Sequence, residues 1–149
     1  MPVYTYQYTT ARDIEPWIMK YLRHYVTGVS FKLEAPTEQT TTYAQPTCYI
    51  YTQARSDRDR VTDRATIGLA YFQGASETVT QARENMAQIV GIATADIIYL
   101  KECSPIAVPI RDETNEFTLA ESATATHAKP CYYATVTYLC AKKVREIEM

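Results

Sequence analysis

Residues 55–64 read "RSDRDRVTDR", in which Arg55, Arg58, Arg60 and Arg64 alternate with Asp57, Asp59 and Asp63. Arginines in such a run suit contact with phosphates or two-pronged pairing with carboxylates. The interleaved aspartates leave a net charge of only +1 over these residues, so a dedicated phosphate grip would meet repulsion from its own loop. Ion pairing within the chain or between subunits fits the mixture better, because paired charges set orientation more than they add affinity. These seven residues are the candidate subunit or partner interface. A solvated rim that keeps the adjoining strand soluble is the alternative reading.

The second charged group is Asp112, Glu113 and Glu116 in the turn "RDETNE". Paired carboxylates can do acid–base work, but only where burial or a neighbour shifts one of them. An exposed turn leaves them ordinary. His24 lies beside an apolar helical stripe rather than within it, which suits a satisfied or solvated histidine. Cys48, Cys103, Cys131 and Cys140 contain no C-x-x-C pair and stand far from both histidines in sequence, so a zinc site is not expected. The chain has neither G-x-S-x-G nor H-E-x-x-H, and its four glycines build no phosphate-cradling loop. The expectation is a non-enzymatic protein with no cofactor and no metal.

The chain of 149 residues suits one domain over 1–149, long enough to bury roughly 70% of its unfolded surface without staples. A net charge of −2 gives no overall pull toward nucleic acid or anionic lipid. The charge is unevenly spread: residues 96–128 carry a net −4 and residues 129–149 a net +2, a polarity that suits head-to-tail self-association or, equally, an ordinary solvated surface. No basic, apolar leader opens the sequence, and "MAQIVGIATADIIYL" is too short and interrupted to span a membrane. Reduced, buried cysteines in a protein made in the cytoplasm follow. Thirteen tyrosines favour strands and wet interfaces.

Several elements must position these groups. "VYTYQYT" (3–9) alternates as a short strand or extended arm, and a neighbouring subunit is one candidate for what it lies on. Ile14, Trp17, Ile18, Tyr21, Leu22, Tyr25 and Val26 recur at helical spacing, with Pro16 in the first turn, a cap between Thr10 and Asp13, and Gly28 as the stop. Strands are expected at 29–35 and 47–53, separated by a polar contact loop at 36–46. Ala65, Ile67, Leu69 and Tyr71 share one face of a core strand over 65–71, while 55–64 projects past the sheet. A second helix begins near Ser76 and ends near Gly91, with Val79, Ala82, Met86, Ile89 and Val90 as its stripe. "DIIYLKE" (96–102) reads as a strand and 106–121 as a hairpin around the acidic turn. A long final strand spans 131–144. The order predicts an α+β domain: a single, mainly antiparallel sheet with two α-helices packed on one face, plus an extra β-hairpin and an N-terminal arm.

The N-terminal helix, the strand "QPTCYIY", the charged turn leading into "DRATIGLAYFQ", the helix "SETVTQARENMAQIV" and the closing strand "PCYYATVTYLCAKK" together resemble, over residues 10–144, the tail terminator proteins of tailed bacteriophages, also called tail completion or neck proteins. The tyrosine-rich start and the hairpin at 106–121 are departures from that plan. The resemblance implies a structural virion protein, typically a hexameric ring, that caps the tail tube and presents a docking face to the head connector. Its partners would be other copies of itself, the tail tube protein and a connector or stopper protein, with DNA only as passing cargo and no membrane. It would act in the virion at the head–tail junction, after assembly in the host cytoplasm. A lumen-facing Asp112, Glu113 and Glu116 would repel passing DNA. Another connector component such as a head-completion stopper, a small cytoplasmic ligand-binding domain, and a nucleic-acid module with steep salt dependence are the alternatives.

Overall fold

The computed structural model describes residues 3–11, 13–36, 44–59, 61–100, 104–110 and 131–148. Alternation of apolar residues at 48–50 and 65–71 produces two eleven-residue strands, β3 (Thr47–Asp57) and β4 (Thr62–Phe72), which pair antiparallel as a hairpin. β6 (Cys131–Glu148) lies antiparallel on the other side of β4, and the three-residue β2 (Ser30–Lys32) runs parallel to the start of β3. These four strands form a mixed, mainly antiparallel sheet. β5 (Ile106–Ile110) also pairs with β6. The expected second arm of its hairpin, and the turn between, lie outside the described residues.

Two helices cover one face of this sheet. α1 (Glu15–Tyr25) turns Ile18, Tyr21 and Leu22 inward, and α2 (Val79–Ala93) turns Ala82, Met86, Ile89 and Ala93 inward. They meet Cys48 and Ile50, the Ala65–Tyr71 stripe, and Tyr132, Ala134, Val136, Tyr138 and Cys140 in one apolar cluster. The opposite face has a smaller cluster of Tyr49, Ala70, Phe72 and Cys131, flanked by half-buried Tyr51 and Tyr133. The α+β fold read from the sequence is the fold observed, with both helices on the same face. Along β3, Cys48 and Ile50 face the helices, while Tyr49 and Tyr51 belong to the cluster on the other face.

Several boundaries differ from the sequence reading. The first strand, β1 (Tyr4–Ala11), pairs antiparallel with residues 142–148 of β6, so within the chain it has a partner. α1 begins after Ile14, which makes no side-chain cap. Asp13, one of the two expected caps, instead stands 3.9 Å from Arg55. The cap of α2 is Thr78 rather than Ser76: its hydroxyl accepts from Gln81 N at 3.2 Å while Gln81 Oε1 accepts from Thr78 N at 3.0 Å. That reciprocal pair needs a Glu or Gln three residues on, which Thr78 has and Ser76 lacks. α2 also runs past Gly91 to Ala93.

The apolar run expected as a strand at 96–102 is instead a single helical turn, α3 (Ile97–Leu100). Only Ile98 is buried, and its carbonyl accepts from Trp17 Nε1 at 2.6 Å and from Ser104 Oγ at 2.8 Å. These tertiary bonds override the strand preference of two adjacent isoleucines.

Candidate functional site

The charged run at 55–64 does not project past the sheet. β3 and β4 continue through most of it, pairing Arg55 with Ala65, Ser56 with Arg64 and Asp57 with Asp63. Partners directly opposite share a face, so Arg55, Asp57 and Asp63 join the helix side of the sheet. Asp63 is almost fully buried there, with a side-chain exposure of 4%. Arg55 Nε lies 3.6 Å from Asp63 Oδ2. From β6, Lys142 Nζ lies 3.1 Å from Asp57 Oδ1 and 3.7 Å from Asp63 Oδ1. The Lys142 backbone adds an N–H donated to Val61 O at 2.9 Å. The cluster therefore ties three strands together where β6 leaves β4 to pair with β1. It explains why the strands extend further than the apolar pattern alone indicates: Asp57 and Asp63 face each other across the ladder, and Lys142 from β6 together with Arg55 neutralises them.

The hydrogen bond from Lys142 holds the Asp57 carboxyl below its ordinary pKa, and the same bond raises that of Lys142. A depressed carboxyl contributes stability above its unfolded pKa near 3.9, which is lost as pH falls through the folded value. A raised ammonium contributes stability below its unfolded pKa near 10.4, which is lost as pH rises through the folded value. Thermal melts across pH should therefore show a plateau from about pH 5 to about pH 10 with a fall on each side. Lys142→Met should flatten the part of both limbs that this pair contributes. Unchanged acid and alkaline limbs in that variant would count against the assignment.

The turn itself is short and fixed. Asp59 Oδ1 accepts from Val61 N at 2.9 Å and Thr62 N at 2.8 Å, while Arg58 N and Asp59 N both donate to Thr62 O. These donors, first that of Val61, hold the Asp59 carboxyl low. Arg58 Nη1 reaches Asp59 Oδ2 at 3.2 Å yet keeps 47% of its side chain exposed, and Val61 beside it is 44% exposed. Arg64 is exposed on the opposite face and makes no ion pair with a described residue. Arg60, Asp112, Glu113 and Glu116 lie outside the described residues.

The other end of the same hairpin is built differently. Leaving β4, the chain passes Gln73 and Gly74 and enters α2 through Glu77. A Cβ on Gly74 would stand 2.6 Å from Pro46 Cδ and 2.7 Å from Pro46 N, so only glycine allows the two segments this close. Glu77 is the hub: its carboxylate accepts from Tyr71 OH at 2.5 Å, Asn85 Nδ2 at 2.9 Å and Gly74 N at 3.4 Å. Burial, reinforced by that carboxylate, holds the Tyr71 phenol far above its usual range, so it stays a donor. Between this hub and the end of α1 lies a groove of about 400 Å³, with Thr27, Gly28 and Pro46 on one side and Glu77, Glu84 and Asn85 on the other. Gly28, at φ +79°, makes the turn that opens it. None of Tyr71, Glu77 or Asn85 stands out in the sequence, because the spacing that joins them exists only once β4 and α2 are packed.

The arrangement offers ion pairing and hydrogen bonding more readily than catalysis. His24 is exposed, its ring edge-on to Tyr25 at 4.6 Å. Burial pushes the Cys131 and Cys140 thiols up to about 11 each, so neither is a thiolate near neutral pH. Among the described residues, no three His, Cys, Asp or Glu side chains converge as a metal site. No helix among them is long and apolar enough to cross a membrane. No family model and no curated protein matches the chain.

Proposed function

We propose that the chain is a structural virion protein of the tail-terminator kind: a ring, hexameric as the resemblance implies, that caps a phage tail tube and joins it to the head connector. The observation that carries this reading is the element order along the chain. A helix, a charged hairpin, a second helix on the same face and one eighteen-residue closing strand follow each other as the resemblance requires. The described polar clusters support it too, since they join strands to one another and to α2 instead of converging on a reactive group. Ring closure by a heterologous contact would stop tube growth and create a new docking face. Its partners are then other copies of the chain, the tube protein and a connector or stopper, with DNA passing through.

The test is mass measurement by light scattering, on the protein alone and after mixing with purified tail tubes, with electron microscopy of the tube ends. The expected result is a closed ring, alone or at a tube end. A protein that stays monomeric and never binds tube ends would overturn the reading.

A further inference from the structure

We infer that neighbouring copies join head to tail, the Arg58 tip of one β3–β4 hairpin docking in the Glu84 groove of the next. The inference rests on the ring reading above and names the contact that would close it. The occupant of the groove is thus a second copy of this chain.

Position is the first argument. The tip and the groove lie at opposite ends of two paired strands of eleven residues, about 35 Å apart at the usual rise per residue. Complementary patches at opposite ends of one molecule cannot satisfy each other within it. They generate a heterologous contact, which closes as a ring when the rotation allows.

Charge is the second argument. Arg55, Asp57 and Asp63 are already engaged around Lys142, which leaves Arg58 as the described arginine projecting at the turn. Its contact Asp59 is also occupied by the backbone donors of Val61 and Thr62. On the groove side Glu84 is exposed and makes no ion pair with a described residue. Glu77 adds a second carboxylate in the same wall. Apart from Pro46 and Gly28, the described residues lining the groove are all polar or acidic, unlike the mostly apolar pockets that hold small ligands. A guanidinium suits it better.

Both surfaces are also fixed before they meet. The tip is held by Asp59, and the groove wall by the Tyr71–Glu77–Asn85 bonds. Little ordering is left to oppose association.

The test uses Arg58→Glu, Glu84→Arg, the double variant, and an equal mixture of the two singles, each measured by sedimentation velocity alone and with tail tubes. Both sites are exposed, and circular dichroism melts check that each variant folds. Each single should assemble at least tenfold more weakly, because like charges then face each other. The double variant should recover. So should the mixture, with the two singles alternating: the retained Arg58 meets the retained Glu84 at one contact and the introduced glutamate meets the introduced arginine at the next, a rescue that misfolded protein cannot give. Singles that assemble like the wild type, or a mixture that stays unassembled, would overturn the contact and leave the ring standing. A wild type that assembles neither alone nor on tubes would overturn both.

Discussion

Asp63→Ala is expected to lower the free energy of unfolding by about 3 kcal/mol, read from urea denaturation at neutral pH. Asp63 is the buried member of its cluster, and both its carboxylate oxygens face cations: Arg55 Nε at 3.6 Å and Lys142 Nζ at 3.7 Å. Truncation leaves those two cations on one face of the sheet with their common counter-charge gone. The loss is therefore larger than that of a surface pair, because the remaining charges stay partly desolvated. Asp57→Ala should do much less, since that carboxylate is 82% exposed and water replaces it. A cycle with Arg55→Met separates the two contributions: if the pair is coupled, the double variant loses less than the sum of the singles. An Asp63→Ala protein as stable as the wild type would show that the cluster contributes nothing net.

Much of the fold is legible in the sequence because single-residue periodicity specifies it. The Ile14–Val26 stripe with Pro16 locates α1, and the alternation at 65–71 locates the inner face of β4. The failures share a cause. At 96–102 two isoleucines and a tyrosine favour a strand locally, but the bond from Trp17, 81 positions away, holds the segment as a helical turn. At 55–64 the charges suggest a projecting loop because their neutralising partner, Lys142, lies on the last strand. The α2 cap is different: the Thr78–Gln81 spacing is present in the sequence and is a better capping signal than Ser76. The groove was not legible, since its walls come from the ends of α1 and the starts of β3 and α2. Hydrophobic pattern fixes which face a residue takes, whereas a polar cluster depends on which strand ends meet.

Glu77→Ala should cost about 2 kcal/mol, again by denaturant unfolding, with most of the loss arising at Tyr71. The Tyr71 ring is fully buried, and its hydroxyl donates to Glu77 Oε2 at 2.5 Å while accepting from Asn85 Nδ2 at 3.2 Å. Removing the carboxylate leaves that O–H without its acceptor and frees Asn85 Nδ2 and Gly74 N from the same group. Tyr71→Phe should cost less, about 1 kcal/mol, because the carboxylate keeps its other donors. In the double variant the orphaned hydroxyl is gone, so Glu77→Ala made in a Tyr71→Phe background should be milder than in the wild type. Equal effects in both backgrounds would mean that Glu77 acts through α2 alone. The same variants bear on assembly, because Glu77 fixes the wall from which Glu84 projects. Glu77→Gln, which can still accept from Tyr71, should keep both the fold and the groove shape while removing one charge. Its assembly strength therefore reports the electrostatic share of the contact, free of the packing change that Glu77→Ala introduces.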